Sequence, residues 1–155
     1  MNKFRWGGFD KHEAFVDQSY MPSVSSIRFA MLRLANKLVQ RGDRERATKL
    51  IDKQFEVFPH MNFPPDYNAM YMLRLYGDVG AEENAKPHIL TLAKEAQDRM
   101  EFYDSLSDTD RSTHFKSESE NWVGIMMELY DMVSKNLKYA DIRVQVEEML
   151  SLIHI

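Results

Sequence analysis

Apolar positions recur at three- and four-residue steps through most of this chain, the pattern of helices that each bury one face. The first such stripe is Ile27, Met31, Leu34, Ala35 and Leu38. It predicts a helix starting near Ser23, with Ser25 or Ser26 as alternative N-caps. Gly42-Asp43 ends it, and a second helix is predicted from about Asp43 to Phe58, with Ala47, Leu50, Ile51, Gln54, Phe55 and Phe58 inside. Pro59 stops that helix, and PHMNFPPD reads as a stiff connector. YNAMYMLRLY (67–76) is a third helix, with Gly77 and Gly80 in the turn after it. A long fourth helix spans AEENAKPHILTLAKEAQDRMEFYDSL, with Ile89, Leu92, Ala93, Ala96, Met100 and Tyr103 on one face. Pro87 forces a choice there: the helix starts late, near Lys86, or it kinks.

SDTDRST (107–113) reads as a polar loop. A fifth helix is predicted from about Ser117 to Leu137, with Ser117 and Glu120 at capping-box spacing and Trp122, Ile125, Met126, Leu129, Met132 and Val133 buried. A sixth runs over 141–153 with Ile142, Val146, Met149, Leu150 and Ile153 inside and Asp141 as its cap. No segment reads best as a strand. Residues 1–22 read as irregular, because Gly7-Gly8 breaks regular structure and Pro22 disfavours helix at Met21. Phe4, Trp6, Phe9, Phe15 and Tyr20 are too apolar for a free tail, so this arm is predicted to lie across the helices. The expected fold is all-α: about six helices in antiparallel pairs over 23–155, with the irregular arm over 1–22.

An internal repeat sharpens this reading. LVQRGDRERA (38–47) aligns with YGDVGAEENA (76–85) at an offset of 38. Leu38 matches Tyr76, Gly42 matches Gly80, Ala47 matches Ala85 and Ile51 matches Ile89; upstream, Leu34-Ala35 matches Met72-Leu73 and Met31 matches Ala69. This resembles the tetratricopeptide repeat, a unit of about 34 residues reading W-x2-L-G-x2-Y, then A-x3-F, then P. Met31, Leu34, Ala35 and Leu38 stand at the packing positions of its first helix, and Ala47, Ile51 and Pro59 at those of its second. The second unit departs from the pattern at Leu73 and Gln97, and the last two helices read as a third, degenerate pair.

A narrower resemblance rests on the order of features: WGG near the start, FVDQSY, a helix pair ending in FEVFP, and PPDYNAMYM. Over about residues 6–95 this is similar to the soluble C-terminal region of large bacterial membrane proteins whose membrane part is related to protein O-mannosyltransferases. The resemblance implies an accessory domain on the extracytoplasmic side, with glycosyl transfer performed by a part of the parent outside this chain. It implies no catalytic residue here.

Composition narrows the chemistry. The chain has 155 residues, 44% hydrophobic, so it can bury a core. A net charge of -4 gives no electrostatic ground for nucleic acid. Cysteine is absent, which excludes disulfides, cysteine nucleophiles and thiolate metal sites. No apolar run approaches the roughly 20 residues of a membrane span, and the start lacks the apolar centre of a secretory signal. His12, His60, His88, His114 and His154 fall at no metal-ligand spacing, so no metal and no cofactor is expected. The acidic clusters Glu82-Glu83, Asp108/Asp110 and Glu118/Glu120 read as helix-start charge, and Glu147-Glu148 as a solvated face. No nucleophile elbow, phosphate loop or dinucleotide fingerprint is present, and no catalytic site is expected.

The surface that remains is the concave face that stacked helix pairs create with their first helices. It predicts a binding face of Phe29, Arg33, Asn36 and Gln40 from one unit and Tyr67, Met70, Tyr71 and Arg74 from the next. Asn36 stands where some tetratricopeptide domains hold a peptide's C-terminal carboxylate, but Leu32 replaces the lysine partner, so that clamp is incomplete. The expected partner is a protein or peptide, or the membrane part of a parent protein. Two rival readings are a free-standing cytoplasmic scaffold, and a small enzyme or carbohydrate-binding domain using the aromatic arm, Trp6 and Trp122.

Overall fold

Helix α1 (Met21–Gln40) turns into α2 (Arg44–Val57) through three residues; main-chain bonds close the end of α1, and the Asp43 carboxylate caps α2 by accepting from the Arg46 amide. Gly42 takes a left-handed conformation, φ 73°. The Asp43 amide donates to Leu38 O (3.0 Å) and the Gly42 amide to Val39 O (2.9 Å), so the last carbonyls of α1 are satisfied. Thirty-eight positions later the same turn recurs after α3 (Tyr67–Val79). Gly80 has φ 76°, the Ala81 amide donates to Tyr76 O (2.9 Å) and the Gly80 amide to Gly77 O (3.2 Å). The sequence repeat is thus a structural repeat at its turns. At the next matched positions Ala47, Ala85, Ile51 and Ile89 are all fully buried. A methyl group at either glycine would meet open space, so the requirement is conformational. Gly42→Ala and Gly80→Ala should each destabilise by about 1–2 kcal/mol, the cost of a left-handed residue with a side chain; thermal melts of the two variants check this.

In the computed structural model, which describes residues 8, 9 and 11–151, the chain is all-helical. After α3 follow α4 (Glu82–Asp104), α5 (Asp108–His114), α6 (Lys116–Lys135) and α7 (Ala140–Ser151), with short 3-10 turns at Gln18–Tyr20 and Leu137–Tyr139. Two compact units emerge, Met1–Asn84 and Ala85–Ile155.

In the first unit α1 packs on α2 and α3, and α2 on α3. The buried stripe of α2 is the expected one. That of α1 is not: Val24, Arg28, Met31, Leu32 and Ala35 face inward, whereas Ile27 and Leu34 are 41% and 51% exposed. The helix is rotated by about one residue because Arg28, which a polar pattern assigns to solvent, points inside. Helix α1 also starts earlier than expected, at Met21 rather than Ser23. Asp17 caps the preceding 3-10 turn, and Pro22 sits in the first turn of α1, where its missing N–H costs no bond. Ser25 and Ser26 lie inside the helix, their hydroxyls donating to Asp66 (3.3 Å) and Pro22 O (2.8 Å).

One core position of α2 is polar. Gln54 is buried, and neither its amide nitrogen nor its oxygen finds a partner. Its counterpart in the second repeat is Leu92, also fully buried. Removing an unsatisfied amide while keeping its volume relieves a desolvation cost of about 1–3 kcal/mol. Gln54→Leu should therefore raise the urea midpoint with an unchanged slope.

Helix α4 begins at Glu82, at the end of the first unit, and continues through Pro87 into the second. Of the two alternatives for Pro87, the late start near Lys86 is thereby set aside; Thr91 donates to the Pro87 carbonyl (2.8 Å). The expected stripe of α4 is buried from Ile89 to Tyr103. Residues 107–113 are not a loop: Ser107 caps α5 by accepting from the Asp110 amide, and Asp108 and Asp110 fill its first turn. The helix count is therefore seven among the described residues, against the six expected. No capping box opens α6. It starts at Lys116 directly after Phe115, whose ring packs by Phe102 (6.1 Å) and Tyr103 (5.9 Å) and fixes the junction one residue before Ser117 could cap it. Helix α6 packs on α7, and Asp141, inside the first turn of α7, accepts from Lys86 Nζ at 2.9 Å.

Candidate functional site

Helix α1 and α3 begin side by side, and the charge network at that end shows why. The Arg28 guanidinium, 1% exposed, donates to Pro64 O (2.9 Å) and Phe63 O (3.2 Å) and lies over the Phe58 ring, 5.5 Å from its centroid. Asp66 stands 3.6 Å from it. Burial lowers the Arg28 pKa, and the Asp66 carboxylate works against that. Asp66 also caps α3 by accepting from the Ala69 amide (2.9 Å), so one carboxylate joins α1, the connector and the start of α3. The residues quoted for the family resemblance, FEVFP and PPD, thus form a structural joint. Asn62 extends it to the arm: its amide donates to Phe9 O (2.6 Å) and His12 O (2.8 Å) and its oxygen accepts from the Ala14 amide (2.6 Å). Phe9 meets Phe63 edge-on at 5.0 Å. The arm therefore covers apolar surface at Phe9, while Phe15 and Tyr20 are exposed; Phe4 and Trp6 lie outside the described residues.

On the outer side of this joint, α1 presents Phe29, Arg33, Asn36 and Gln40, all exposed. The Arg33 guanidinium lies 5.9 Å from the centroid of the Phe29 ring, and the Asn36 amide donates to Leu32 O (3.1 Å). Helix α3 presents Tyr67, Tyr71 and Arg74. Phe29, Tyr67 and Tyr71 are 52%, 68% and 54% exposed, high values for aromatics. Met70 does not belong with them. It is buried, because Tyr67, Tyr71, Arg74 and Asp78 form the single outward stripe of α3 and the rest of the helix is enclosed. Leu32, which stands in place of a clamp lysine, is buried as well.

Sequence reasoning missed Arg28 and Asn62, and it placed Ile27 and Leu34 inside. For Leu34 the repeat offers a comparison: its counterpart Met72 is fully buried, so the same position is covered in the second repeat and open in the first.

The second unit holds an open concavity of about 670 Å³ between the end of α4, α5 and the start of α6. Its walls are mainly charged: Arg111 pairs with Asp104 (2.9 Å) and Asp108 (3.3 Å), and Lys116 stands 4.0 Å from Glu120. Trp122 does not line it; it is buried, with the Arg99 guanidinium 5.7 Å from its ring centroid. Among the described residues no three His, Asp or Glu side chains converge as metal ligands would, and no helix is long and apolar enough to cross a membrane. Comparison of the chain with protein-family models, with curated proteins and with solved structures finds no match.

Proposed function

We propose that this chain is a non-catalytic interaction domain of tetratricopeptide-like helix pairs that holds a peptide segment of a protein partner on the outer face of α1 and α3. The observation that carries this reading is the set of three half-exposed aromatics, Phe29, Tyr67 and Tyr71, beside the exposed Arg33 and Arg74. Rigid aromatics and arginine are the side chains that most often anchor a protein interface, because they bury much area for little entropy. The recurrence of one backbone turn at an offset of 38, with matched buried alanines, supports stacked helix pairs.

A display library of random 12-residue peptides tests the reading. Peptides recovered on the wild-type chain should lose binding to the double variant Phe29→Ala, Tyr71→Ala, whose melting should be unchanged because both side chains face solvent. No recovered peptide, or recovered peptides indifferent to the double variant, would sink it.

The resemblance carried by WGG, FVDQSY, FEVFP and PPDYNAMYM adds a setting: the soluble C-terminal part of a membrane protein related to protein O-mannosyltransferases, on the extracytoplasmic side. The full reading frame tests this. A run of apolar helices upstream supports it, whereas a stop codon just before Met1 leaves the free-standing scaffold.

A further inference from the structure

The cations of this chain are distributed unevenly in one respect. On α2, α4, α6 and α7 nearly every exposed Lys or Arg meets a carboxylate of its own helix or cap, as Lys49 does with Glu45, Lys94 with Asp98, Lys135 with Asp131 and Arg143 with Glu147. Helix α1 contains no Asp or Glu at all. Its exposed Arg33 and Lys37, and Arg41 just past its end, have no carboxylate partner among the described residues. The three stand four residues apart, so they form one stripe with a repeat of about 6 Å along the helix axis. The half-exposed Ile27 and Leu34 flank the stripe on one side and Phe29 on the other. An open concavity of about 610 Å³ follows the same face, lined by Ala30, Arg33, Leu34, Asn36, Lys37 and Gln40.

We infer that this face takes an acidic peptide segment, with Asp or Glu side chains on Arg33, Lys37 and Arg41 and apolar side chains on Leu34 and Phe29. The inference rests on the peptide-binding reading above and gives the partner's chemistry. The spacing fits: alternate residues of an extended peptide are about 6.8 Å apart, and every fourth residue of a helix about 6 Å. Charge complementarity fits too, since cations left without partners in a chain of net charge -4 supply steering and register toward a carboxylate. Nucleic acid is a poorer occupant, because a phosphate backbone leaves Leu34, Ile27 and Phe29 uncovered and the chain's overall charge repels a long polyanion. The contacts come from side-chain carboxylates along α1, not from a peptide's C-terminus, for which Leu32 leaves no lysine.

The display experiment is extended to decide this. Recovered peptides should be enriched in Asp and Glu. Their Kd by fluorescence anisotropy should weaken about tenfold or more for the double variant Arg33→Glu, Lys37→Glu, the loss expected when charge-assisted contacts become repulsive. Circular dichroism melting should be unchanged in that variant. Peptides that need Phe29 and Tyr71 but show no acidic enrichment, or that ignore the charge reversal, overturn this inference and leave the peptide-binding reading standing. No recovered peptide at all overturns both. Phosphatidylserine vesicles or a labelled single-stranded oligonucleotide binding more tightly than the peptides, through Arg33 and Lys37, would also overturn it. So would sedimentation showing self-association that the charge reversal abolishes.

Discussion

Replacing Arg28 by Ala should lower the stability of residues 1–84 by about 2–5 kcal/mol, the range for truncating a large buried side chain to alanine. The cost has three sources. Phe63 O loses its donor while remaining inside, which leaves an acceptor unsatisfied, and the part-buried Pro64 O loses its donor too. The Phe58 ring loses the cation over its face. A void opens where the guanidinium was. An equilibrium urea titration followed by far-ultraviolet circular dichroism checks it, and a midpoint within about 0.5 kcal/mol of wild type, the scale of an ordinary surface change, would show that Arg28 is a bystander. Arg28→Lys should fall between, because an ammonium supplies a point charge but not the planar fork that reaches two carbonyls. Because a whole domain is commonly stable by only 5–15 kcal/mol, the alanine variant should lose a large share of its stability.

A loss of about 1–3 kcal/mol or more is expected for Ala47→Trp. Ala47 has no exposed surface, and its helix α2 packs against α1, whose own fully buried alanine is Ala35. Two small residues on packed helices let the backbones approach, and an indole at one of them forces the helices apart. The repeat extends the expectation: Ala85→Trp at the matched, equally buried position should cost a similar amount. Differential scanning calorimetry of both variants is the measurement. Wild-type melting of Ala47→Trp would remove the physical basis of the alignment between 38–47 and 76–85, whatever the glycine turns do.

The parts of this fold that were legible in the sequence are those where one local rule decides. The stripe of α2 follows from period alone, and Gly42 and Gly80 announce their turns because few other residues adopt positive φ without strain. The stripe of α1 was misplaced because a buried arginine breaks the rule that charge faces water. Its partners are main-chain carbonyls 35 and 36 residues away, and carbonyls leave no mark on residue type. The α5 helix was hidden for a different reason. Ser, Asp and Thr serve loops and helix caps equally well, and the choice fell to Ser107 as a cap and to Arg111 reaching back to Asp104. Of the residues expected on the candidate face, the aromatics and cations are exposed. The expectation failed at Met70, where α3 is enclosed on more sides than a two-faced helix pattern allows. Asn62 was invisible as a clamp, since any asparagine in a proline-rich connector reads as turn chemistry.

The two matching turns have one more implication, for how such a chain is extended. In each, main-chain bonds and a glycine with open space around it close the end of the first helix, while the Asp43 carboxylate, which accepts from the Arg46 amide, is added at the first turn only. A segment bounded by two joints of that kind is alike at its ends: Gly42 and Gly80 share one left-handed conformation and the same pair of main-chain bonds. Copying residues 43–80 in tandem would join like to like, adding one helix, its connector and the next helix without a new junction to invent. The 38-residue spacing is therefore the unit an engineer should splice, with the partners that Arg28 and the arm give the connector supplied again for the added copy.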